Sequence, residues 1–140
     1  MRVDGTWLFC DDGVTRLFWA EVLGSHGNWI EIPLLADCGA DRTVLSRAAF
    51  AGLGLAPVKG DDSISGIGGI AESVVFHTRI RIPRRDGVAL SFKGQFSAVL
   101  DSTAIDMSLL GRDVTNHFAL IVDHPSSTVC LLSRGESYRT

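Results

Sequence analysis

At 140 residues the chain suits one domain with a single core, and 46% hydrophobic against 21% charged residues is the balance of an ordinary globular protein. A formal net charge of −3 and a pI near 5.7 give no general attraction for nucleic acid or for an anionic membrane surface. No apolar run is long enough to span a bilayer, and Met1-Arg2-Val3-Asp4-Gly5 lacks the apolar core of a secretion signal. Cys10, Cys38 and Cys130 are odd in number and widely spaced, the pattern of reduced thiols and not of a disulfide framework or a zinc site, so the expected compartment is the cytoplasm.

Turn signals are frequent and helical periodicity is scarce. Thr6–Cys10 and Val14–Leu23 read as strands joined by the hairpin turn Asp11-Asp12-Gly13. After a turn at Gly24-Ser25-His26-Gly27-Asn28, Trp29–Ala36 reads as the next strand. Ser46–Gly52 reads as a short helix with serine at its start and glycines near its end. Glycines at 66–69 lie between two β-rich stretches, and Ala71–Ile82 and Val88–Leu100 read as long strands around a turn at Pro83–Gly87. Ser108–Gly111 is a short apolar step, Arg112–Phe118 a second helix candidate, and Ala119–Val122 with Thr128–Leu132 a last hairpin. These many short strands predict a mostly-β domain, a small closed barrel with one or two short helices. Residues 1–133 are read as this single domain and 134–140 as a flexible tail. There is an internal echo: Leu34–Asp41 and Ser108–Asp113 are both apolar runs that end on glycine, as in a domain with two similar halves.

Several motifs have modest explanations. Gly66-Ile67-Gly68-Gly69-Ile70-Ala71 resembles a phosphate loop, but the β-branched residues that follow it leave no helix to complete one, so a hairpin tip is the better reading. His26, His77, His117 and His124 share no metal-ligand spacing, and no metal or cofactor is expected. Arg79, Arg81, Arg84 and Arg85 read as a solvated strand face and turn. Asp37 is different. It ends the apolar run Leu34-Leu35-Ala36 and is followed by Cys38-Gly39-Ala40-Asp41, whereas an ionised carboxylate beside a buried strand is costly unless it is held in a special setting. A turn aspartate bonding nearby N–H groups is the common alternative.

Taken together, Leu34-Leu35-Ala36-Asp37-Cys38-Gly39-Ala40-Asp41-Arg42-Thr43-Val44-Leu45, the glycine hairpin Ser65–Ile70 and Leu109-Leu110-Gly111-Arg112-Asp113 resemble the three signature elements of the retropepsins, single-domain aspartic proteases. The match is in order and covers about residues 14–132. The resemblance implies a barrel of the acid-protease type working as a C2 homodimer, with Asp37 as the catalytic carboxylate from each subunit. It further implies Gly39 and Ala40 on the floor of a substrate groove, Asp41 beside the substrate backbone, and Arg112 paired with Asp41. Gly66, Ile67 and Gly68 would form a flap over an extended peptide, and Cys38, Gly111 and Arg112 would support the active-site loop. The implied activity is hydrolysis of peptide bonds by a water held between two carboxylates that share a proton, most active at acidic to neutral pH. Cys38 departs from the family, where a Thr or Ser hydroxyl bonds across the dimer axis. A thiol is a poorer donor and acceptor, so a catalytically weak or inactive dimerisation or peptide-binding module is the alternative.

Overall fold

A computed structural model describes the backbone of all residues except 11, 12, 67, 68 and 140, and the side chains of all except 10–15, 59–62, 66–68 and 140. Alternation of apolar and polar residues produces eleven strands: β1 (Arg2–Asp4), β2 (Thr6–Cys10), β3 (Gly13–Leu23), β4 (Trp29–Ala36), β5 (Val44–Leu45), β6 (Lys59–Gly66), β7 (Gly69–Pro83), β8 (Ala89–Val99), β9 (Ser108–Leu110), β10 (Ala119–Asp123) and β11 (Thr128–Leu132). Two helices, α1 (Arg47–Leu53) and α2 (Arg112–Thr115), complete the described residues.

The large sheet runs β2-β3-β4-β9-β5-β8-β7-β6, and a further pairing of β3 with β7 joins six of these strands into a closed barrel. Closure rests on Glu21 opposite Arg81 and Val22 opposite Ile80. On each wall one face of the pleat points inward. Phe18, Ala20 and Val22 of β3, Ile32, Leu34 and Ala36 of β4, Phe76, Ile80 and Ile82 of β7, and Phe96 and Ala98 of β8 are all buried there. A second sheet, β1-β11-β10, lies at the chain ends and contributes Val3, Val129 and Leu131 to the same core. Gly5 links the two sheets. Its N–H donates to Val129 O, and a Cβ there would lie 2.5 Å from Leu17 O, so no side chain fits the crossing.

The mostly-β barrel with two short helices agrees with the expectation from sequence, and so do most of the strands. The helix expected at Ser46–Gly52 is α1, with Ser46 as its N-cap: the hydroxyl accepts from Ala49 N–H at 3.3 Å, and Gly54 ends the helix with φ at 67°. The second helix is shorter than expected. After Thr115 the bonds change to His117 N–H on Val114 O and Phe118 N–H on Thr115 O, a tightening that ends α2 before Phe118. β1 and β5 went unread in the sequence, being too short to show a period. The stretch from Gly69 onward is strand β7, as the reading against a phosphate loop required. Most of the arginine cluster is engaged by acids: Arg81 bonds Glu21 and lies 3.9 Å from the Trp29 ring centroid, Arg84 pairs with Asp86, and Arg85 lies 3.6 Å from Asp4. Beyond Leu132, Ser133 and Glu136 bond the amino group of Met1, and the Tyr138 hydroxyl donates to Asp123 at 2.7 Å. The hairpin turn expected at Asp11-Asp12 falls outside the described residues.

Candidate active site

Each apolar run of the sequence echo is a barrel strand, and the two lie side by side. β4 and β9 pair in parallel, with Leu34 opposite Ser108, Leu35 opposite Leu109 and Ala36 opposite Leu110. Parallel strands deliver their C-terminal loops to the same end of the sheet, so residues 37–43 and 111–113 meet there. Backbone bonds stitch the loops together. Asp37 N–H donates to Leu110 O at 3.2 Å, Arg112 N–H to Ala40 O at 2.8 Å and Asp113 N–H to Asp41 O at 3.2 Å.

Asp37 is half-buried at the end of β4. Its carboxylate accepts from Gly39 N–H at 2.9 Å, and its carbonyl accepts from Ala40 N–H at 3.2 Å, which curls the loop back on itself. A Cβ at Gly39 would lie 3.2 Å from that carboxylate oxygen, a tight approach. Cys38 is exposed at the tip of the turn as a free thiol. Asp41, further along the loop, forms an ion pair with Arg112 at the start of α2. Both partners are largely exposed, so the pair adds little stability and mainly fixes how the two loops face one another.

Beneath this pair lies an anchor that the sequence did not reveal. Thr43 is fully buried, and its hydroxyl donates to the Asp113 carboxylate at 2.8 Å while accepting from Gly111 N–H at 3.1 Å. The same carboxylate takes Thr43 N–H at 2.9 Å and Val114 N–H at 3.0 Å. Gly111 is confined: a Cβ would lie 2.2 Å from the Arg42 carbonyl carbon. Thr43 and Asp113 both stand within the quoted motifs, but they are far apart in sequence and of common types, so nothing along the chain paired them.

Asp37, Cys38, Gly39, Ala40, Asp41, Gly111 and Arg112 are therefore brought together. Gly66 belongs to a different part of the large sheet: it pairs with Gly69, whose φ of 116° favours glycine, at the end of the β6–β7 hairpin. Ile67 and Gly68, expected at the tip of that hairpin, fall outside the described residues. Two surface grooves lie along α2 and the residues after it, and neither is lined by residues 37–41. Among the described residues no cluster of three or more His, Cys, Asp or Glu side chains could hold a metal ion, and no helix is long and apolar enough to cross a membrane.

No protein-family model matches the chain, and no curated protein matches its sequence. Solved structures do match. A retropepsin-like aspartic protease from Rickettsia conorii superposes over 94% of this chain and 90% of its own, with a TM-score of 0.61 at 18% identity. The fold is retropepsin-like. EIAV protease complexed with the inhibitor HBY-793 is also similar, over 69% of this chain and 82% of its own, with 27% identity and a TM-score of 0.46. So is the retroviral protease-like domain of Ddi1 from Leishmania major, over 86% and 98%, with 12% identity and a TM-score of 0.47. Those two superpositions are too loose to argue from. Within the retropepsin-like fold, the stitched loops 37–43 and 111–113 occupy the end of the barrel to which the parallel strand pair points.

Proposed function

We propose that the chain is an aspartic endopeptidase, active as a C2 homodimer in which each subunit supplies Asp37. The observation that carries this reading is the state of the loop carboxylates. Asp41 is paired with Arg112 and Asp113 is bonded to Thr43, whereas among the described residues the Asp37 carboxylate has a single bond, to Gly39 N–H. It sits at the end of a barrel strand in a retropepsin-like fold. One carboxylate cannot serve as both acid and base in one step, so the chemistry requires a second copy.

Across the two-fold axis the pair would hold one proton, because two close carboxylates do not ionise together cheaply. The charged member takes a proton from a bound water, and the water oxygen bonds to the scissile carbonyl carbon. The protonated member gives its proton to the carbonyl oxygen. Collapse of this tetrahedral species breaks the C–N bond as a proton passes to the nitrogen, and the dyad returns to one proton. Gly39 and Ala40 line the floor, Asp41 lies beside an extended peptide substrate, and Gly66, Ile67 and Gly68 form the flap that covers it. Cys38, Gly111 and Arg112 hold the loop in place.

The test is cleavage of a peptide library from acidic to neutral pH by wild type and by Asp37→Asn, with thermal unfolding of both. Wild type is expected to cut, and Asp37→Asn to lose at least about a thousandfold in rate with an unchanged melting temperature. Absence of any Asp37-dependent cleavage over that pH range would make the chain a non-catalytic module on the same fold.

A further inference from the structure

The β8 strand is hydrogen-bonded along its whole length to β7, from Ala89 opposite Pro83 to Val99 opposite Ser73, without a break in register. Among the described residues its other edge is covered only at Ser97 and Ala98, by β5. Ser97 N–H points to that side, onto Thr43 O at 3.2 Å. In an antiparallel strand the N–H and C=O of one residue point the same way and alternate between sides. The backbone groups of Ser91, Lys93 and Gln95 therefore point off the open edge, while those of Leu90, Phe92 and Gly94 face β7. Beyond the edge lies a groove of about 390 Å³, lined by Ser91–Phe96 on one side and by Asp113, Val114 and His117 on the other. Asp113 faces it with a carboxylate already committed to Thr43 and Val114 N–H. Gly94 keeps the floor open, since a Cβ there would meet nothing within 4 Å.

The outward face of this edge is basic. Arg79 and Lys93 are direct cross-strand partners, both are exposed, and neither makes an ion pair among the described residues. Like charges placed opposite one another destabilise a sheet. His77 opposite Gln95 flanks them and adds no acid. The inward face is apolar, with Phe92 half-buried and Phe96 and Val114 buried.

We propose that the open edge of β8 at Ser91, Lys93 and Gln95 binds an extended peptide with alternating acidic and apolar residues, which adds to the sheet as a further strand. Three residues of edge present N–H and C=O groups to the newcomer. At about 3.4 Å per residue the stretch matches a peptide of roughly five to seven residues. Its acidic side chains would lie beside Lys93 and relieve the Arg79–Lys93 repulsion, and its apolar ones would turn toward Phe92 and Val114. A second copy of this chain paired through the same edge would instead bring Lys93 against Lys93.

The experiment uses the full chain with Asp37→Asn, so that binding is read apart from any cleavage. The probe is a fluorescein-labelled Val-Glu-Val-Glu-Val-Glu-Val peptide, with a Val-Lys-Val-Lys-Val-Lys-Val control. Fluorescence anisotropy is expected to show saturable binding of the acidic peptide alone, weakened by salt and at least about tenfold weaker in Lys93→Glu. Amide exchange is expected to slow at Ser91, Lys93 and Gln95 on binding, with no change at Leu90, Phe92 and Gly94. The proposal is overturned by no binding at millimolar peptide, by equal binding of the lysine peptide, by an affinity indifferent to Lys93→Glu, or by protection elsewhere on the barrel. In the first of those cases Lys93 serves only to keep an open strand edge from pairing.

Discussion

Thr43 and Asp113 act as one unit, in which a hydroxyl, a carboxylate and three backbone N–H groups satisfy one another beneath the candidate catalytic loop. Replacing the threonine with an isosteric valine removes both the donor to Asp113 and the acceptor for the buried Gly111 N–H. A buried polar group left without a partner costs about 1–3 kcal/mol. Thr43→Val is therefore expected to lower the unfolding free energy by that amount, read as a lower denaturation midpoint at unchanged slope, and to loosen the turn that holds Asp37. A midpoint within error of wild type would show that the cluster adds nothing to stability. Gly111 was singled out in the sequence as support for the loop. Its neighbours Thr43 and Arg42 contribute a buried hydroxyl and a close backbone, which leave no pattern along the chain.

Among the elements, the long strands were legible because a period of two is sustained over many residues. β7 alternates buried and exposed side chains from Phe76 to Pro83. β5 spans only Val44–Leu45, and it is a strand because β8 and β9 flank it, not because of its own residues. The β10–β11 hairpin shows how an element end can depend on pH. The Tyr138 hydroxyl, with the Ser126 N–H behind it, holds the Asp123 carboxyl below its ordinary range, and Asp123 in turn pushes the Tyr138 phenol above its own. Lowering of the acid means that its contribution is present above the usual carboxylate range and is lost as pH falls through the depressed value. Raising of the phenol means that the contact persists through the usual phenol range and is lost as pH climbs past the raised one. Tyr138 is the chain's single tyrosine, so phenolate absorbance reads it alone. Its midpoint is expected above that of free tyrosine and back near the free value in Asp123→Ala. Equal midpoints would mean that the last residues do not dock through this bond.

For the whole molecule the main question is association. Under the homodimer reading, Cys38 of both subunits lies near the two-fold axis, where the retropepsin resemblance implies that a Thr or Ser hydroxyl would hydrogen-bond across. Each such bond is worth about 1 kcal/mol, roughly fivefold in an equilibrium constant. Cys38→Thr is expected to tighten the dimer by about that factor or more in sedimentation equilibrium, with peptide cleavage at dilute protein rising in parallel. A dissociation constant unchanged by the substitution would place Cys38 outside any interface grip. The monomer carries a further property of whole-molecule scale, the open edge of β8, created because β5 is too short to cover its neighbour.

By itself the sequence determined the β class, the long strands, the loop at Asp37 and a glycine-rich turn before β7, because alternation, turn residues and contiguous motifs are properties of neighbours along the chain. The retropepsin resemblance then implied the Asp41–Arg112 pair, which the folded chain contains. Only the tertiary structure decided that the two echoing segments pair in parallel, that Glu21–Arg81 and Val22–Ile80 close the barrel, and that Thr43 locks onto Asp113. These are contacts between residues distant in sequence, and a single chain of letters carries no record of which distant strand will lie beside which.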